Sequence, residues 1–356
     1  MSAPAAICDW LATLPLFGGE VPDIEIYSQG VGADLYRLAW ADMRAVLKHY
    51  KSTTNPTRKG ADKRRAEAAA LTLYALQGLA PDLLWEGEMP VYGQGDAIIY
   101  RWVGGKRASD ITLTHEQLDL IATSLRTVHS NTSDLKLLSP APRTLEVWWG
   151  RTHELYRDMQ MRLAAHMPVE VSDTLSRLLQ PVSGDVQAHK RFWQGAPLTF
   201  VHGRPEPTNI ILNENCVILK NWQDFGLGDP SHEVAVASRL LAEQMGEDPA
   251  EHLIDNYLTG TEDNILARRI EIYRRVWPFG SLLSTVSTYL DQVNGLSMTP
   301  EQFKSTAFHF HHLLVTYEWP TPTADRVVAV LDAWLSGELK ESTVNTKNEQ
   351  AATTQA

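Results

Sequence analysis

The sequence predicts an α+β fold of two lobes, in which a small antiparallel-sheet N-terminal lobe precedes a larger, mainly helical C-terminal lobe. Residues 24–50 are rich in β-branched and aromatic residues and are broken by turn residues, which is typical of short strands. Residues 145–335 instead carry apolar residues mostly at helical spacing. Between these regions, the double glycine at Gly104 and Gly105 indicates a hinge.

These patterns predict three parts of the chain. Residues 1–103 form an N-terminal extension and the strand-rich lobe, residues 104–338 form the helical lobe, and residues 339–356 form a tail. From about Lys340 the tail consists mainly of Thr, Asn, Gln, Glu and Ala and lacks large apolar residues. Such a segment cannot bury enough apolar surface to fold, so we expect the tail to be disordered.

The N-terminal lobe is expected to contain three antiparallel strands, one helix and a further strand. Gly30, Gly32 and the turn at Ala41 break residues 24–50 into the three strands. The helix follows a polar loop, lasts about three turns and ends before Gly78. Its residues at helical spacing are Ala66, Ala69, Leu73 and Leu76. The further strand runs into the hinge at residues 100–105.

The C-terminal lobe is expected to be helical apart from a hairpin at residues 209–222. A capping box from Thr114 to Gln117 marks the start of its first helix, because the two side chains can satisfy each other's backbone N–H groups. The later amphipathic segments are residues 145–179, 231–258, 264–293, 300–319 and 324–335.

Composition limits the function classes open to this chain. The 356 residues carry a formal net charge of −11, which disfavours a general nucleic-acid binder, since nucleic-acid phosphates are attracted to positive faces. Only Cys8 and Cys216 are present, which excludes a disulfide framework and a cysteine-based zinc site. The start lacks a basic leader, and no apolar run approaches the roughly 18 residues that span a bilayer. We expect a soluble, cytoplasmic protein with no nucleic-acid or membrane partner.

The segment FVHGRPEPTNIILNENCVILKNWQDFGLGDP, residues 200–230, carries the most specific pattern in the chain. Asn209 follows His202 by seven residues, and an apolar strand comes directly afterwards. A second strand then delivers Asn221, twelve residues after Asn209. This spacing is typical of a catalytic loop for phosphoryl transfer, which needs groups that hold phosphates, bind a metal and position the attacking hydroxyl.

The segment resembles the aminoglycoside phosphotransferase and choline kinase-like family, whose pattern runs H-G-D-x-x-P-x-N-I-L and then I-D-W-E-x-A-G-x-G-D-P-x-x-D-L-A. The resemblance covers residues 25–335, is strongest at residues 198–237, and implies a protein-kinase-like fold. The matching residues are His202, Gly203, Pro207, Asn209, Trp222, Gly226, Gly228, Asp229 and Pro230.

The resemblance also implies ATP or another nucleotide as a cofactor. In such a site a glycine-containing turn and a lysine held by a helix glutamate contact the phosphates, and the hinge contacts the base. The residues in these places are Gly30, Gly32, Lys48, Glu67, Tyr100, Arg101 and Trp102. Taken alone, the glycines equally fit a hairpin turn, and the lysine and glutamate fit solvated charges, so these assignments depend on the resemblance.

Two acidic positions of the family pattern are not acidic in this chain. Arg204 replaces the catalytic Asp that orients the substrate hydroxyl and accepts its proton, and Asn221 replaces a magnesium-binding Asp. Arginine stays protonated at neutral pH, and losing a positioned base lowers the rate on the order of 10²- to 10⁴-fold. Magnesium sites usually include carboxylates, so the amides of Asn209 and Asn221 would hold the ion poorly.

Two nearby carboxylates are candidate substitutes. Glu206 is a candidate for a displaced base, and Asp224, in the letters Asp-Phe-Gly, is a candidate metal ligand in a shifted register. Alternatively, Arg204 contacts a nucleotide phosphate, or it neutralises Glu206 or Asp224 in a salt bridge.

These observations favour a catalytically impaired pseudokinase that binds a nucleotide, a small molecule or a protein partner. The second hypothesis is an active ATP-dependent kinase for small hydroxyl compounds that uses Glu206 and Asp224. The third is a non-enzymatic interaction module with an empty cleft.

Overall fold

The computed structural model describes residues 5–29, 32–51, 60–90, 95–131, 144–163, 167–213, 216–261, 263–292 and 300–338. The chain divides into two units, which contain residues 1–142, 198–233 and 240–259, and residues 143–197, 234–239 and 260–356. The predicted antiparallel sheet and helical remainder are confirmed. The predicted lobe limits at residues 103 and 338 stay predictions, and the tail lies outside the described residues.

A five-stranded antiparallel sheet with the strand order β1-β2-β3-β5-β4 belongs to the first unit. Its strands are β1 (Asp23–Gln29), β2 (Ala33–Trp40), β3 (Met43–Tyr50), β4 (Leu83–Met89) and β5 (Gly95–Arg101). The four predicted strands correspond to β1, β2, β3 and β5. β4 is not among them, because Glu86, Gly87 and Glu88 give it low intrinsic strand propensity. It forms by antiparallel pairing along β5.

One face of the sheet is covered by the N-terminal helix α1 (Ala5–Ala12) and the turn that follows it. Ile7 and Leu11 are fully buried, and Phe17 is almost so. They share one apolar cluster with Leu38 and Leu47, which project from β2 and β3. The N-terminal extension is therefore part of the core of the first unit.

The other face of the sheet carries the residues of the candidate site. Side chains alternate along a strand, so Val46, Lys48 and Tyr50 project from β3 on the side opposite to Leu47. Helix α2 (Gly60–Tyr74) places Glu67 within hydrogen-bond distance of Lys48. The predicted helix is confirmed as α2. It begins earlier than Ala66 and has about four turns.

Short strands and three helices complete the first unit. β6 (Lys106–Arg107), β8 (Ile210–Asn213) and β9 (Cys216–Leu219) form one sheet, and β7 (Thr199–Val201) pairs with β10 (Gly226–Gly228). The predicted hairpin is therefore confirmed as β8 and β9. The helices are α3 (His115–His129), α7 (Glu247–Leu258) and part of α6 (Pro230–Met245). The capping box of α3 is also confirmed.

The described part of the second unit is helical. Its helices, besides a segment of α6, are α4 (Leu145–Leu163), α5 (Val169–His189), α8 (Asn264–Gln292), α9 (Pro300–Thr316) and α10 (Thr321–Leu335). Two predicted amphipathic segments each contain two helices, since Pro168 precedes α5 and Gly246, at φ 92°, separates α6 from α7. Among the helices described, none is long and apolar enough to cross a membrane.

We predict that truncating Leu11 destabilises the fold, because its side chain is fully buried between the N-terminal helix and the sheet. Leu11→Ala should lower the free energy of unfolding by about 2–5 kcal/mol, measured by urea denaturation. Leu76→Ala is the matched control, since Leu76 is 98 % exposed, and it should change stability by less than about 0.5 kcal/mol. Equal effects of the two substitutions would contradict the packing of α1 on the sheet.

Candidate active site

A buried ion pair joins β3 to α2. Lys48 Nζ lies 2.6 Å from Glu67 Oε2, and the two side chains are 5 % and 1 % exposed. The Tyr50 hydroxyl donates to the same carboxylate oxygen at 2.6 Å. Burial lowers the pKa of Lys48, and the negative charge of Glu67 opposes that effect. The structure thus brings the predicted lysine and glutamate together, while their role towards phosphates stays a prediction.

Lys48 also binds the side chain at the expected metal position. Its Nζ donates a hydrogen bond to Asn221 Oδ1 at 2.7 Å. Asn221 follows β9 in the left-handed conformation, with φ 66° and ψ 50°, which Asn adopts more readily than most residues. Its Nδ2 lies 3.5 Å from Asn209 Oδ1. The two amides predicted as metal ligands therefore meet beside an ammonium group.

His202 is a buried, neutral part of the loop. Its Nε2 donates to the Lys220 carbonyl at 3.0 Å, and its Nδ1 accepts the backbone N–H of Arg204 at 3.2 Å. These two contacts select a single tautomer of the uncharged ring. Burial lowers the pKa of His202, which also favours the neutral form. Gly203 follows at φ 84°, a conformation that requires glycine in practice.

Glu233, in the first turn of α6, anchors the loop. Its carboxylate accepts the backbone N–H of His202 at 2.9 Å and that of Gly203 at 2.5 Å. His129 Nε2 lies 2.8 Å from the same carboxylate, and His129 Nδ1 lies 2.8 Å from the Tyr257 hydroxyl. Burial alone would raise the pKa of Glu233, but the contacts with His129 and Gly203 outweigh burial and lower it to about 2.

His129 and Tyr257 are not predicted from the sequence. They come from α3 and α7 and lie more than a hundred residues from their partners along the chain, so no local motif connects them. The one available signal is the position of His129, four residues after Leu125 in the apolar stripe of α3. A histidine on a buried helix face needs a polar partner, which here is Glu233.

Arg204 lies between the two candidate substitute carboxylates. Its side chain is 37 % exposed, and its Nε is 3.3 Å from Glu206 Oε1 and 3.7 Å from Asp224 Oδ2. Asn209 Nδ2 donates to the other oxygen of Glu206 at 2.8 Å. The sequence-based alternative in which Arg204 pairs with these carboxylates is therefore confirmed.

The oxygens at the expected metal position do not fit magnesium. Magnesium takes oxygen ligands in near-octahedral geometry and is held through carboxylates and phosphate oxygens. Asn221 Oδ1 instead accepts an N–H from Lys48, and Asp224 is paired with Arg204. Across the described ranges, no group of three His, Cys, Asp or Glu residues is arranged to hold a metal ion. An ion here would also meet repulsion from the ammonium and guanidinium groups.

An aromatic cluster supports the turn that carries Asn221 and Asp224. Trp222 stacks on Tyr74 with ring centroids 5.1 Å apart, and Phe225 packs edge-on against Trp222 at 5.7 Å. All three aromatic side chains are fully buried. The Phe of the Asp-Phe-Gly letters is thus a core residue, and it fixes the backbone next to Asp224.

The predicted glycine turn is only partly described. Gly30 lies outside the described residues, whereas Gly32 directly precedes β2. The carbonyl of Gly32 accepts the backbone N–H of Lys51 at 3.1 Å, which ties the end of the turn to β3. Phosphate binding by this turn stays a prediction.

The predicted hinge residues lie at the end of β5. Tyr100 and Arg101 are its last residues, and Trp102 follows. Arg101 Nε binds Asp82 Oδ2 at 2.9 Å, and the Trp102 ring centroid lies 4.6 Å from the guanidinium carbon of Arg37. These side chains are held by their own lobe, and contact with a nucleotide base stays a prediction.

Comparison with known proteins supports the resemblance seen in the sequence. The model of a family described as the phosphotransferase enzyme family matches residues 23–269, which is more than half of the chain. No curated protein matches the chain.

Solved structures share the fold at low sequence identity. A choline/ethanolamine kinase family protein from Mesorhizobium loti is 17 % identical with a TM-score of 0.62, covering 92 % of this chain and 98 % of its own. Choline kinase from Cryptosporidium parvum is 10 % identical with a TM-score of 0.59, covering 88 % and 93 %. A spectinomycin phosphotransferase in complex with ADP and spectinomycin is 11 % identical with a TM-score of 0.52, covering 88 % and 94 %. The predicted kinase-like fold is confirmed.

We predict that Glu233→Gln destabilises the protein at neutral pH by about 3–5 kcal/mol, because His129 and two backbone amides lose a buried carboxylate. The difference in the free energy of unfolding between the variant and the wild type should become smaller as the pH falls. The pKa of Glu233 in the fold, about 2, lies below the ordinary glutamate value of 4.5. The charged carboxylate therefore stabilises the fold fully above pH 4.5, and this stabilisation is lost as the pH falls towards 2.

Urea denaturation measures this stability difference. The Glu233→Gln variant and the wild type are compared at neutral pH and at about pH 3. Glu88→Gln is the control, since Glu88 is exposed on β4 and should show only a small effect at both pH values. A deficit for Glu233→Gln that does not change with pH would refute the assigned role of the charge.

Proposed function

The chain belongs to the phosphotransferase enzyme family, and we propose that it is a catalytically impaired member that still binds a nucleotide. The observation that carries this proposal is the position of Arg204, whose Nε lies within 3.7 Å of both candidate substitute carboxylates. The residue at the base position is thus a cation, and both acids beside it already contact that cation.

Proton transfer lacks a ready acceptor in this loop. The guanidinium of Arg204 has N–H donors only and cannot accept the proton of a hydroxyl substrate. Glu206 accepts from Arg204 at one oxygen and from Asn209 at the other. A substrate hydroxyl would therefore share this carboxylate with two other donors if Glu206 were to take its proton.

Retained nucleotide binding is supported by the buried Lys48–Glu67 pair. In kinase-like sites a lysine held by a helix glutamate contacts the phosphates. A buried pair without a ligand to position contributes little net stability, since desolvation offsets the attraction between the two charges. The solved spectinomycin phosphotransferase holds ADP, which makes a nucleoside polyphosphate the first ligand to test.

The second candidate function is an active small-molecule kinase that uses Glu206 and Asp224. The observation that favours it is that two carboxylates lie beside position 204, while Arg204 is 37 % exposed and its side chain has room to rotate away from them. Its substrates would be small hydroxyl compounds, as for the choline and ethanolamine kinases of similar fold.

The expected location in the cytoplasm remains a prediction from the sequence.

We predict that ATP stabilises the protein through Lys48. At 100 times its dissociation constant, ATP should add about 2.7 kcal/mol to the free energy of unfolding, seen as a rise in melting temperature. The double variant Lys48→Met, Glu67→Gln removes the ammonium without leaving a buried carboxylate unpaired, and it should lose this response.

Lys51→Met is the matched control for nucleotide binding. Lys51 directly follows β3 and pairs with Asp34 of β2 at 2.8 Å, and its side chain is 38 % exposed. This variant should respond to ATP as the wild type does. A melting temperature that does not change with ATP in the wild type would favour the empty-cleft hypothesis instead.

We predict that the wild type transfers no measurable phosphate from ATP to choline, ethanolamine or spectinomycin. The absence of a positioned base lowers the rate on the order of 10²- to 10⁴-fold, and the missing metal carboxylate adds to that loss. Phosphate release and product mass measure transfer. Turnover by the wild type that Asp224→Ala abolishes would instead establish the active-kinase alternative.

A further inference from the structure

The cationic groups of the site occupy places that suit a phosphate. Lys48 Nζ uses two of its three N–H groups on Glu67 and Asn221 among the described residues. The contacts of Arg204 with Glu206 and Asp224 run through Nε, within the described part of the chain. The remaining N–H groups of both side chains are those that can meet an incoming anion.

The side chain of Arg204 is exposed enough to reach a ligand, since it is 37 % exposed, whereas Lys48 is almost fully buried. A guanidinium presents a planar fork of N–H donors that binds two phosphate oxygens at once. Asn221 accepts a hydrogen bond from Lys48 and lies 3.5 Å from Asn209. Asn209 in turn donates to Glu206, which Arg204 contacts. This short chain of contacts connects the two cations, so both belong to the one site that a polyphosphate would meet.

The rest of the site lacks what a divalent ion needs. Asn221 offers a single neutral oxygen, which already accepts from Lys48. Relative to the family pattern, Arg at position 204 adds two positive charges and Asn at position 221 adds one. At these two positions the chain is therefore more positive by three charges, compared with the two that a magnesium ion would bring, while Glu206 and Asp224 lie beside Arg204.

We infer that this site binds the phosphates of its ligand without a divalent cation, with the guanidinium of Arg204 in the role of the metal. The inference rests on the proposed nucleotide binding and makes it more specific. Magnesium is expected to weaken binding or leave it unchanged, because the ion offsets negative charge that Lys48 and Arg204 would otherwise attract.

Isothermal titration of the full chain with ATP tests the inference, once with excess EDTA and once with excess magnesium chloride. The expected dissociation constant in EDTA is equal to or lower than that in magnesium. Arg204→Gln should raise the dissociation constant in EDTA by about tenfold to a hundredfold, since it removes a charge-assisted hydrogen bond.

Arg268→Gln is the control for removing a guanidinium. Arg268 is an exposed arginine that pairs with Glu271 at 2.6 Å on α8, as Arg204 pairs with a carboxylate close along the chain. This variant should bind ATP with the affinity of the wild type. An equal loss in both variants would overturn the assignment of Arg204.

The double variant Arg204→Asp, Asn221→Asp tests the same inference from the opposite direction. It places carboxylates at both positions, and Asp tolerates the left-handed conformation of residue 221. We expect ATP binding by this variant to require magnesium. Tighter binding in EDTA than in magnesium would overturn the role given to these two positions.

The outcomes separate this inference from the proposed function. Wild-type binding of ATP only when magnesium is present would overturn the inference and leave nucleotide binding intact. Absence of ATP binding in both conditions would overturn the proposed nucleotide binding itself. Unchanged binding by Arg204→Gln in EDTA would show that another group supplies the charge.

Discussion

The geometry of the site depends on the hydrogen bonds that the buried carboxylate of Glu233 accepts. The carboxylate is buried, so each of its oxygens must be satisfied by donors from the protein, and these donors are His129 and the backbone amides of His202 and Gly203. The path of the loop is therefore set from outside the loop, by a side chain of α6. None of these contacts uses the side chain of Arg204, which instead pairs with Glu206 and Asp224. Glu233 thus fixes the backbone of the loop, whereas the side chain at position 204 sets the charge at the expected base position.

The electrostatics of the site follow from this separation. Lys48 is held between a carboxylate and an amide, and Arg204 lies between two carboxylates, so each cation is fixed by neighbours of the same protein. In a metal-dependent site the carboxylates would instead face an ion and a substrate. The same framework thus has a cation at position 204 and a neutral amide at position 221, where the family pattern has acids.

Much of this architecture can be predicted from sequence, and the exceptions share one cause. Strands with β-branched residues, the capped helix at Thr114 and the spacing from His202 to Asn221 are local signals, and the structure agrees with each. β4 and α1 are not predicted, because pairing with β5 and packing on the sheet form them rather than their own composition. The site shows the same limit. Motif spacing identifies Arg204 and Asn221, but it does not decide which carboxylate Arg204 contacts, and it does not connect His129 or Tyr257 to the loop.

The left-handed backbone at Asn221 affects how easily the family's Asp could be restored at position 221. At φ 66° that position accepts few residue types, chiefly Gly, Asn and Asp, so the exchange between Asn and Asp leaves the local backbone undisturbed. The codons of Asn and Asp also differ by a single base. Arg and Asp codons differ by more than a single base, and the guanidinium at position 204 has two carboxylate neighbours. A single base substitution would therefore place a carboxylate metal ligand at position 221, whereas a carboxylate base at position 204 would require more than one.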